Sequence, residues 1–215
     1  MVSRGAVVVL VVVLGVGLSV VPAAASDASV AKTLVITQKD AGSGYQASKA
    51  SASDDLFPEL SACVGTSVAK RKVTARAQGP DLTNKQDGSQ ISSSVTVVKT
   101  AAMAKADRVL VSDPKFPDCL AQIAKSHLAS AGITDVSAQA VDVKKYGTFS
   151  TAIATSYSGT SNGQALQLTA VQVAIFKGRA ELLDPFLTEG SQPFSQAEGQ
   201  AVLDRMNQRL KKARI

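Results

Sequence analysis

Few side chains in this chain have the type and spacing that catalysis requires. His127 is the single imidazole, and a serine or cysteine nucleophile needs such a base held beside it. Because His127 lies at helical spacing with Ile123 and Leu128, we expect it to be a partly buried packing residue on a helix. Gly159-Thr-Ser-Asn-Gly163 has its glycines at hairpin spacing and contains Asn-Gly, which predicts a turn and not a phosphate-binding loop.

Pairs of carboxylates are a second possible source of chemistry, since a glycosidase uses one acid and one base. Asp54-Asp55 is an adjacent pair, but it precedes a predicted helix, where capping explains it. We expect Asp113 and Asp118 to be caps or turn formers, and Glu181 and Glu189 to lie at an exposed sheet edge. Since none of these groups converges on another, the sequence predicts no catalytic residues, no metal ligands and no cofactor.

The first 25 residues have the order of a secretory signal. Arg4 gives a basic start, Gly5 to Val21 is an apolar run, and Ala23–Ala25 supplies a small-residue cleavage site. We therefore expect a signal peptide over residues 1–25 and a single mature domain over residues 26–215, secreted or held in a cell-wall space. The run also reaches the lower limit of about 17 residues for a membrane-spanning helix, so an uncleaved anchor is the alternative.

Cys63 and Cys119 are the only cysteines, and the predicted compartment is oxidising, so we expect a disulfide between them. The bridge would connect the segment before the first predicted strand to the helix predicted over residues 117–131. A zinc site is the alternative, but there is no Cys-x-x-Cys and only one histidine.

The charge of the mature chain is mildly basic. Removing residues 1–25 removes one charged residue, Arg4, which leaves 22 Lys+Arg against 17 Asp+Glu, a net charge of +5. The basic residues are scattered, Trp is absent, and Phe and Tyr are few, so we expect no nucleic-acid partner. We interpret the charge as favouring solubility and weak attraction to an anionic envelope surface.

Hydrophobic periodicity and capping residues predict the elements that would hold these side chains. Helices are predicted over residues 56–64, 101–111, 117–131 and 195–213. Strands are predicted over 73–77, 91–97, 136–143, 149–157, 164–176 and 180–188, the last at a sheet edge because of Pro185. The alternation slips its phase within 164–176, which predicts either a bulge or burial of both faces.

Strands joined mostly by hairpins, with helices between and after them, indicate an α+β fold. We expect an antiparallel sheet of about five strands, covered on one face by two or three helices.

Three segments resemble secreted actinobacterial envelope proteins: Ile91-Ser-Ser-Ser-Val-Thr-Val-Val98, the alanine-rich helix after it, and Asp113-Pro-Lys-Phe-Pro-Asp-Cys-Leu120. The pattern is similar to the sensor-domain-like group related to the extracellular domain of a mycobacterial Ser/Thr kinase, and to lipoproteins with a PsbP-like α/β sandwich. The resemblance runs from about Thr33 to Leu210 and implies a ligand-binding or accessory role at the cell envelope. The chain departs from these groups because it has no kinase domain and no lipobox cysteine, so the kinase's signalling role is not carried over.

A sheet under helices can leave a groove, and six apolar residues of the second half are candidates for its lining. They are Phe149, Ile153, Tyr157, Leu166, Leu168 and Phe176. The alternative is that all six are ordinary core. The small residues opposite them, Ala152, Ala154 and Ser156, would then be the exposed face of the sheet.

The sequence therefore predicts a secreted, non-catalytic, monomeric domain that binds a small apolar ligand, an envelope component or a partner protein. The alternatives are a secreted hydrolase with an unrecognised site and an extracellular inhibitor or scaffold. An apolar cavity would favour ligand binding, and convergent His127, Ser and Asp side chains would favour the hydrolase. A flat exposed apolar patch would favour the interaction module.

Overall fold

The structure of this chain, a computed structural model, describes residues 26–50, 56–66, 71–161, 163–189 and 194–215. The predicted signal peptide and Asp54-Asp55 lie outside these residues. The helices are α1 (Asp27–Leu34), α2 (Gln38–Ala41), α3 (Phe57–Val64), α4 (Ala101–Val111), α5 (Phe116–Leu128) and α6 (Gln196–Lys212). The strands are β1 (Tyr45–Ser48), β2 (Val73–Gln78), β3 (Asp81–Asn84), β4 (Gln90–Ile91), β5 (Ser94–Val98), β6 (Ile133–Val141), β7 (Phe149–Ser161), β8 (Gln164–Lys177) and β9 (Ala180–Glu189).

Three of the helices begin at a residue whose hydroxyl caps the first turn. Ser26 accepts a hydrogen bond from the backbone of Ser29 at the start of α1, and Thr100 accepts one from Met103 at the start of α4. At the start of α6, Ser195 accepts from the backbone of Glu198, as its sequence predicts. These contacts satisfy amide groups that the helix itself leaves unpaired.

Within the described residues, nine strands form one antiparallel sheet. Strands β6, β7, β8 and β9 follow one another as neighbours. Beyond β9 the sheet divides, because β5 pairs with the first half of β9 and β4 pairs with its second half. Strand β2 then pairs with β5, while β3 and β1 continue from β4. The central strand of the sheet is therefore β9.

The sheet divides at two short interruptions that lie side by side, one between β2 and β3 and the other between β4 and β5. Gly79-Pro80 separates β2 from β3, and Ser92-Ser93 separates β4 from β5. The backbone of Gly79 donates to the carbonyl of Ser93 at 2.9 Å, and the hydroxyl of Ser93 accepts from the backbone of Ile36 at 2.8 Å. A Cβ at position 79 would lie 2.5 Å from that hydroxyl oxygen, so this approach requires glycine.

The prediction that Pro185 restricts its strand to an edge is wrong, because β9 is paired on both sides. The carbonyl of Pro185 accepts from the backbone of Ser92 at 3.1 Å. The nitrogen of Pro185 lies on the same side of the strand, so it faces the interruption between β4 and β5. Because the ladder is already broken there, the missing N–H costs no hydrogen bond.

One face of the sheet is covered by α1 and α6. Their apolar side chains and those of the strands below form a first core. Its fully buried members include Leu34, Val95, Ile175, Leu182, Met206 and Leu210.

The other face is covered by α3, α4 and α5, which form a second core. Its members include Leu60, Leu110, Phe116, Leu120, Ile153 and Phe176. The α+β class with an antiparallel sheet is confirmed, but the sheet has more strands than predicted and helices on both faces.

Strand β8 explains why the predicted coverage was wrong. Its pairing with β7 is continuous from Gln164 opposite Ser161 to Phe176 opposite Phe149, so there is no bulge in this ladder. Ile175 belongs to the first core and Phe176 to the second, so the phase slip reflects burial of both faces. Similarly, Ala152 is buried in the first core and does not belong to an exposed face. No helix among the described residues has both the length and the apolar character needed to cross a bilayer.

Candidate functional site

A cavity of about 630 Å³ lies between the sheet and the three helices of the second core. Its roof is formed by Phe57 and Leu60 of α3, Val111 of α4, and Phe116 and Leu120 of α5. Its floor is formed by strands β2, β5, β7, β8 and β9. Helices α3 to α5 therefore stand away from part of the sheet that they cover.

The floor of the cavity contains a leucine that no helix covers. Leu183 is 41% exposed, although it lies on the central strand β9. Its neighbour Leu182 points to the opposite face and is 1% exposed in the first core. An exposed leucine between strands on both sides indicates a surface that solvent or a ligand reaches.

The floor contains rows of apolar and polar residues that run across the sheet. One row consists of residues that lie opposite one another on neighbouring strands: Ser94 of β5, Leu183 of β9, Ala174 of β8 and Thr151 of β7. In the next row, Thr96 lies opposite Glu181, which lies opposite Phe176. Because Val95 and Val97 are buried in the first core, Ser94 and Thr96 point to the cavity side.

The roof of the cavity is held in place by a disulfide. Cys63 of α3 and Cys119 of α5 form the predicted bridge, with their Cα atoms 5.8 Å apart. The bridge connects two helices, and both lie where the sequence predicts helices, over residues 56–64 and 117–131. It fixes α3, which supplies Phe57 and Leu60, against α5, which supplies Phe116 and Leu120.

A buried ionic cluster lies at the side of the cavity. The Nε of Arg71 donates to Asp107 of α4 at 2.9 Å, and an Nη donates to Glu181 of β9 at 2.5 Å. The ring of Phe57 lies 4.2 Å from the guanidinium carbon of Arg71, which is a cation–π distance. Arg71 and Glu181 line the cavity, so this cluster joins its roof to its floor.

Burial raises the pKa of Glu181 to about 8, and the hydrogen bond and charge of the adjacent Asp107 carboxylate add to the rise. The guanidinium of Arg71 acts in the opposite direction but does not outweigh the loss of hydration. Glu181 therefore holds its proton to a higher pH than an ordinary glutamate does. The prediction that Glu181 lies at an exposed edge is wrong, because its partners come from segments far away in the sequence.

A smaller cavity of about 280 Å³ continues from the first one along the same face of the sheet. The two share Ser92, Gln172 and Pro185 in their linings. Leu128, at the end of α5, and Leu187 of β9 are among the apolar residues of the smaller cavity. The two cavities are therefore neighbours on one face of the sheet.

The six predicted lining residues lie in different parts of this region. Ile153 and Phe176 line the larger cavity, and Tyr157 and Leu168 line the smaller one. Phe149 packs against the edge of the Phe176 ring, with 5.8 Å between the ring centres. Half-buried Leu166 lines neither cavity. Their role in ligand binding stays a prediction.

Leu183, Arg71 and the hydroxyl residues of β5 were not predicted from the sequence as site residues. The doublet Leu182-Leu183 was the available signal, because two adjacent leucines in a strand point to opposite faces and predict a protein surface over both. No comparable local signal marks Arg71, whose two carboxylate partners lie 36 and 110 positions away.

The remaining candidates for chemistry lie away from the cavity. His127 is exposed and not partly buried as predicted, and its Nε2 lies 2.9 Å from a carboxylate oxygen of Glu59. Asp113 accepts from the backbone of Lys115 at 2.8 Å, which is a turn contact. Among the residues that the structure covers, no group of three or more His, Cys, Asp or Glu side chains is arranged to hold a metal ion.

No protein-family model matches the chain, and no curated protein matches it. Among solved structures, it is similar to the extracellular domain of PknH from Mycobacterium tuberculosis, with 14% sequence identity and a TM-score of 0.45, over 83% of this chain and 95% of that chain. It is also similar to a protein of unknown function from Pseudomonas aeruginosa, with 16% identity and a TM-score of 0.24, over 68% of this chain and 82% of that chain. At these identities and TM-scores, neither similarity carries an argument about the function of this chain, so the function is argued from the cavity. The PsbP-like grouping and the actinobacterial origin stay predictions.

Proposed function

We propose that this protein is a secreted, non-catalytic domain that binds a small molecule with an apolar chain and a polar head. The observation that carries the proposal is the exposure of Leu183 on a central strand, at the floor of a cavity of about 630 Å³. This volume falls within the range of about 300–1,000 Å³ that small-molecule sites occupy.

The apolar side of the cavity supports binding of the chain. Leu60, Phe116 and Leu120 face it from the roof, and Ile153 and Phe176 face it from the floor. An apolar chain in this space would remove the exposed side of Leu183 from water, and each square ångström removed favours binding by about 25 cal/mol. The smaller cavity offers room for a chain that extends beyond the first.

Secretion is supported by two independent features. The order of residues 1–25 is that of a signal peptide. The disulfide between Cys63 and Cys119 fits an oxidising compartment, where such bonds persist.

The test is native mass spectrometry of the protein secreted by a host that receives the full chain. We expect one adduct when the protein is incubated with 1-monopalmitoylglycerol. Leu183→Glu places a charge on the cavity floor and should weaken the adduct at least tenfold. Val109→Glu is the matched control, because Val109 is 57% exposed on α4 and does not line the cavity.

Two results would contradict the proposal. The first is that the wild type binds none of a series of single-chain lipids and detergents of 8 to 18 carbons. Equal binding by Leu183→Glu and the wild type would show that any bound lipid lies elsewhere. Circular dichroism of both variants establishes that they are folded.

A further inference from the structure

We infer that the polar side of the cavity selects a neutral head group that carries hydroxyls, such as a glyceryl or a sugar unit, on the apolar chain. This inference rests on the proposed function and specifies its ligand. It follows from how the polar residues of the cavity are distributed, from which charges are already engaged, and from which hydrogen-bonding groups remain.

Most of the polar residues of the floor lie on one side, and Thr151 of β7 and Gln172 of β8 are the polar residues of the other side. Gln78 of β2 lies opposite Ser94 of β5, and Arg76 of β2 lies opposite Thr96 of β5. All four residues line the cavity. Because the apolar residues lie toward β7 and β8, the boundary between the two sides runs along β9. A bound amphipathic molecule would place its chain under α3 and α5 and its head over β2 and β5.

The positive charges on this side are engaged within the protein. The guanidinium of Arg71 donates to Asp107 and to Glu181. Arg76 also has a partner within the chain. An anionic head would meet a third acid, Asp81, which lines the cavity and accepts a hydrogen bond from the hydroxyl of Ser92 at 2.9 Å. Carboxylate and phosphate heads are therefore disfavoured here.

The hydroxyls of Ser94 and Thr96 remain for a ligand. Among the described residues, no side-chain hydrogen bond engages either hydroxyl. The two residues are two positions apart on one strand, so they are separated by about 7 Å along the same face. A hydroxyl both donates and accepts, and it therefore pairs well with a hydroxyl of the ligand. A head with several hydroxyls can contact both residues.

The raised pKa of Glu181 agrees with a neutral head. Glu181 lies directly opposite Thr96, at the boundary of the polar side. Since burial raises its pKa to about 8, this carboxyl holds its proton to a higher pH than an ordinary glutamate does.

The experiment compares four ligands with palmitoyl or similar chains: 1-monopalmitoylglycerol, hexadecyl glucoside, palmitate and lysophosphatidate. We expect the wild type to bind the two neutral ligands at least tenfold more tightly than the two anionic ones. The double variant Ser94→Ala/Thr96→Val removes both hydroxyls with little change of shape. It should bind the neutral ligands about tenfold more weakly, as expected for two lost hydrogen bonds, with palmitate unchanged.

Thr160→Val is the matched control. Thr160 is exposed on β7 and lines neither cavity, so the same substitution there should leave all four affinities unchanged. If the wild type binds only one of the two neutral ligands, the inference stands, and that ligand identifies the head group as a sugar or a glyceryl unit. Tighter binding of an anionic ligand by the wild type, or no selective loss in the double variant, would overturn the inference while the proposed function stands. Failure of all four ligands to bind would overturn both.

Discussion

The guanidinium of Arg71 donates to the carboxyl of Glu181 across 2.5 Å, although the two residues are 110 positions apart in the sequence. Their contact joins the segment before β2 to the central strand of the sheet. Asp107 of α4 is the third member, so the contact also joins the sheet to the roof of the cavity. The cluster places an ionisable group where its protonation affects the stability of the fold.

We predict that Glu181 makes the protein less stable as the pH rises from about 4.5 to about 8. The pKa of Glu181 is about 8 in the folded protein, and its ordinary value is 4.5. Between these values the folded chain holds a proton that the unfolded chain has lost, so the free energy of unfolding falls with pH. Glu181→Gln cannot ionise, so its stability relative to the wild type should increase across this range. Urea denaturation at several pH values measures the difference, with exposed Asp142→Asn as the control. Parallel curves for Glu181→Gln and the wild type would contradict the assignment.

Adjacent leucines on β9 should respond very differently to truncation. Leu182 is 1% exposed in the first core, so Leu182→Ala should lower the free energy of unfolding by about 2–5 kcal/mol. Leu183 is 41% exposed at the cavity floor, so Leu183→Ala should cost less than about 1 kcal/mol. Chemical denaturation of the two variants measures both values. Equal losses would mean that Leu183 is part of a packed core.

The disulfide should contribute strongly to stability because it closes a long loop. Cys63 and Cys119 are 56 positions apart, for which chain entropy gives about 4 kcal/mol as an upper value. Cys63→Ser/Cys119→Ser should therefore unfold at lower urea concentration with the fold retained. A reducing agent should bring the wild type to the same midpoint and leave the variant unaffected. An unchanged midpoint in the double variant would contradict this prediction.

Arg209 of α6 should be a second determinant of stability. Its guanidinium pairs with the buried carboxylate of Asp40 and donates to the carbonyls of Thr33 and Val35 at 2.9 Å. Burial alone would raise the pKa of Asp40, but the hydrogen bonds from Arg209 and from the backbone and hydroxyl of Thr37 together lower it below its usual value.

Arg209→Met should therefore lower the free energy of unfolding by about 2 kcal/mol, less than for a fully buried pair because a third of the Arg209 side chain is in water. Arg209→Lys keeps the charge but loses the planar set of guanidinium donors, so it should lower the free energy of unfolding by a smaller but measurable amount. Arg214→Met, at the end of the same chain segment, should have little effect. Urea denaturation ranks the three variants, and an Arg209→Met midpoint equal to that of Arg214→Met would disprove the assignment.

Elements that depend on local chemistry were predictable from the sequence. Helix α4 begins where Thr100 caps it, and α6 begins where Ser195 caps it. The clean alternation after Phe149 predicted β7, whereas the predicted turn over residues 159–163 begins too early, because Gly159 to Ser161 are still paired in that strand. In each case, the signal lies within a few residues of the structure that it specifies.

Features that depend on distant partners were not predictable. Pro185 occupies a central strand because β4 and β5 are interrupted opposite it. Glu181 is buried because Arg71 and Asp107 reach it from other elements. The polar residues of β2 and β5 face a cavity and not bulk solvent, and strand alternation alone does not distinguish these two environments.

The walls of the cavity come from segments that span residues 50 to 185, and no two neighbouring elements could enclose it alone. It exists only after strands β2, β5, β7, β8 and β9 and the second helical layer have assembled. A molecule that occupies it therefore binds the folded chain and not the unfolded one, and adds to stability by mass action. At a concentration one hundred times its dissociation constant, that contribution is about 2.7 kcal/mol. The melting temperature of the protein thus reports how much of its cavity is occupied.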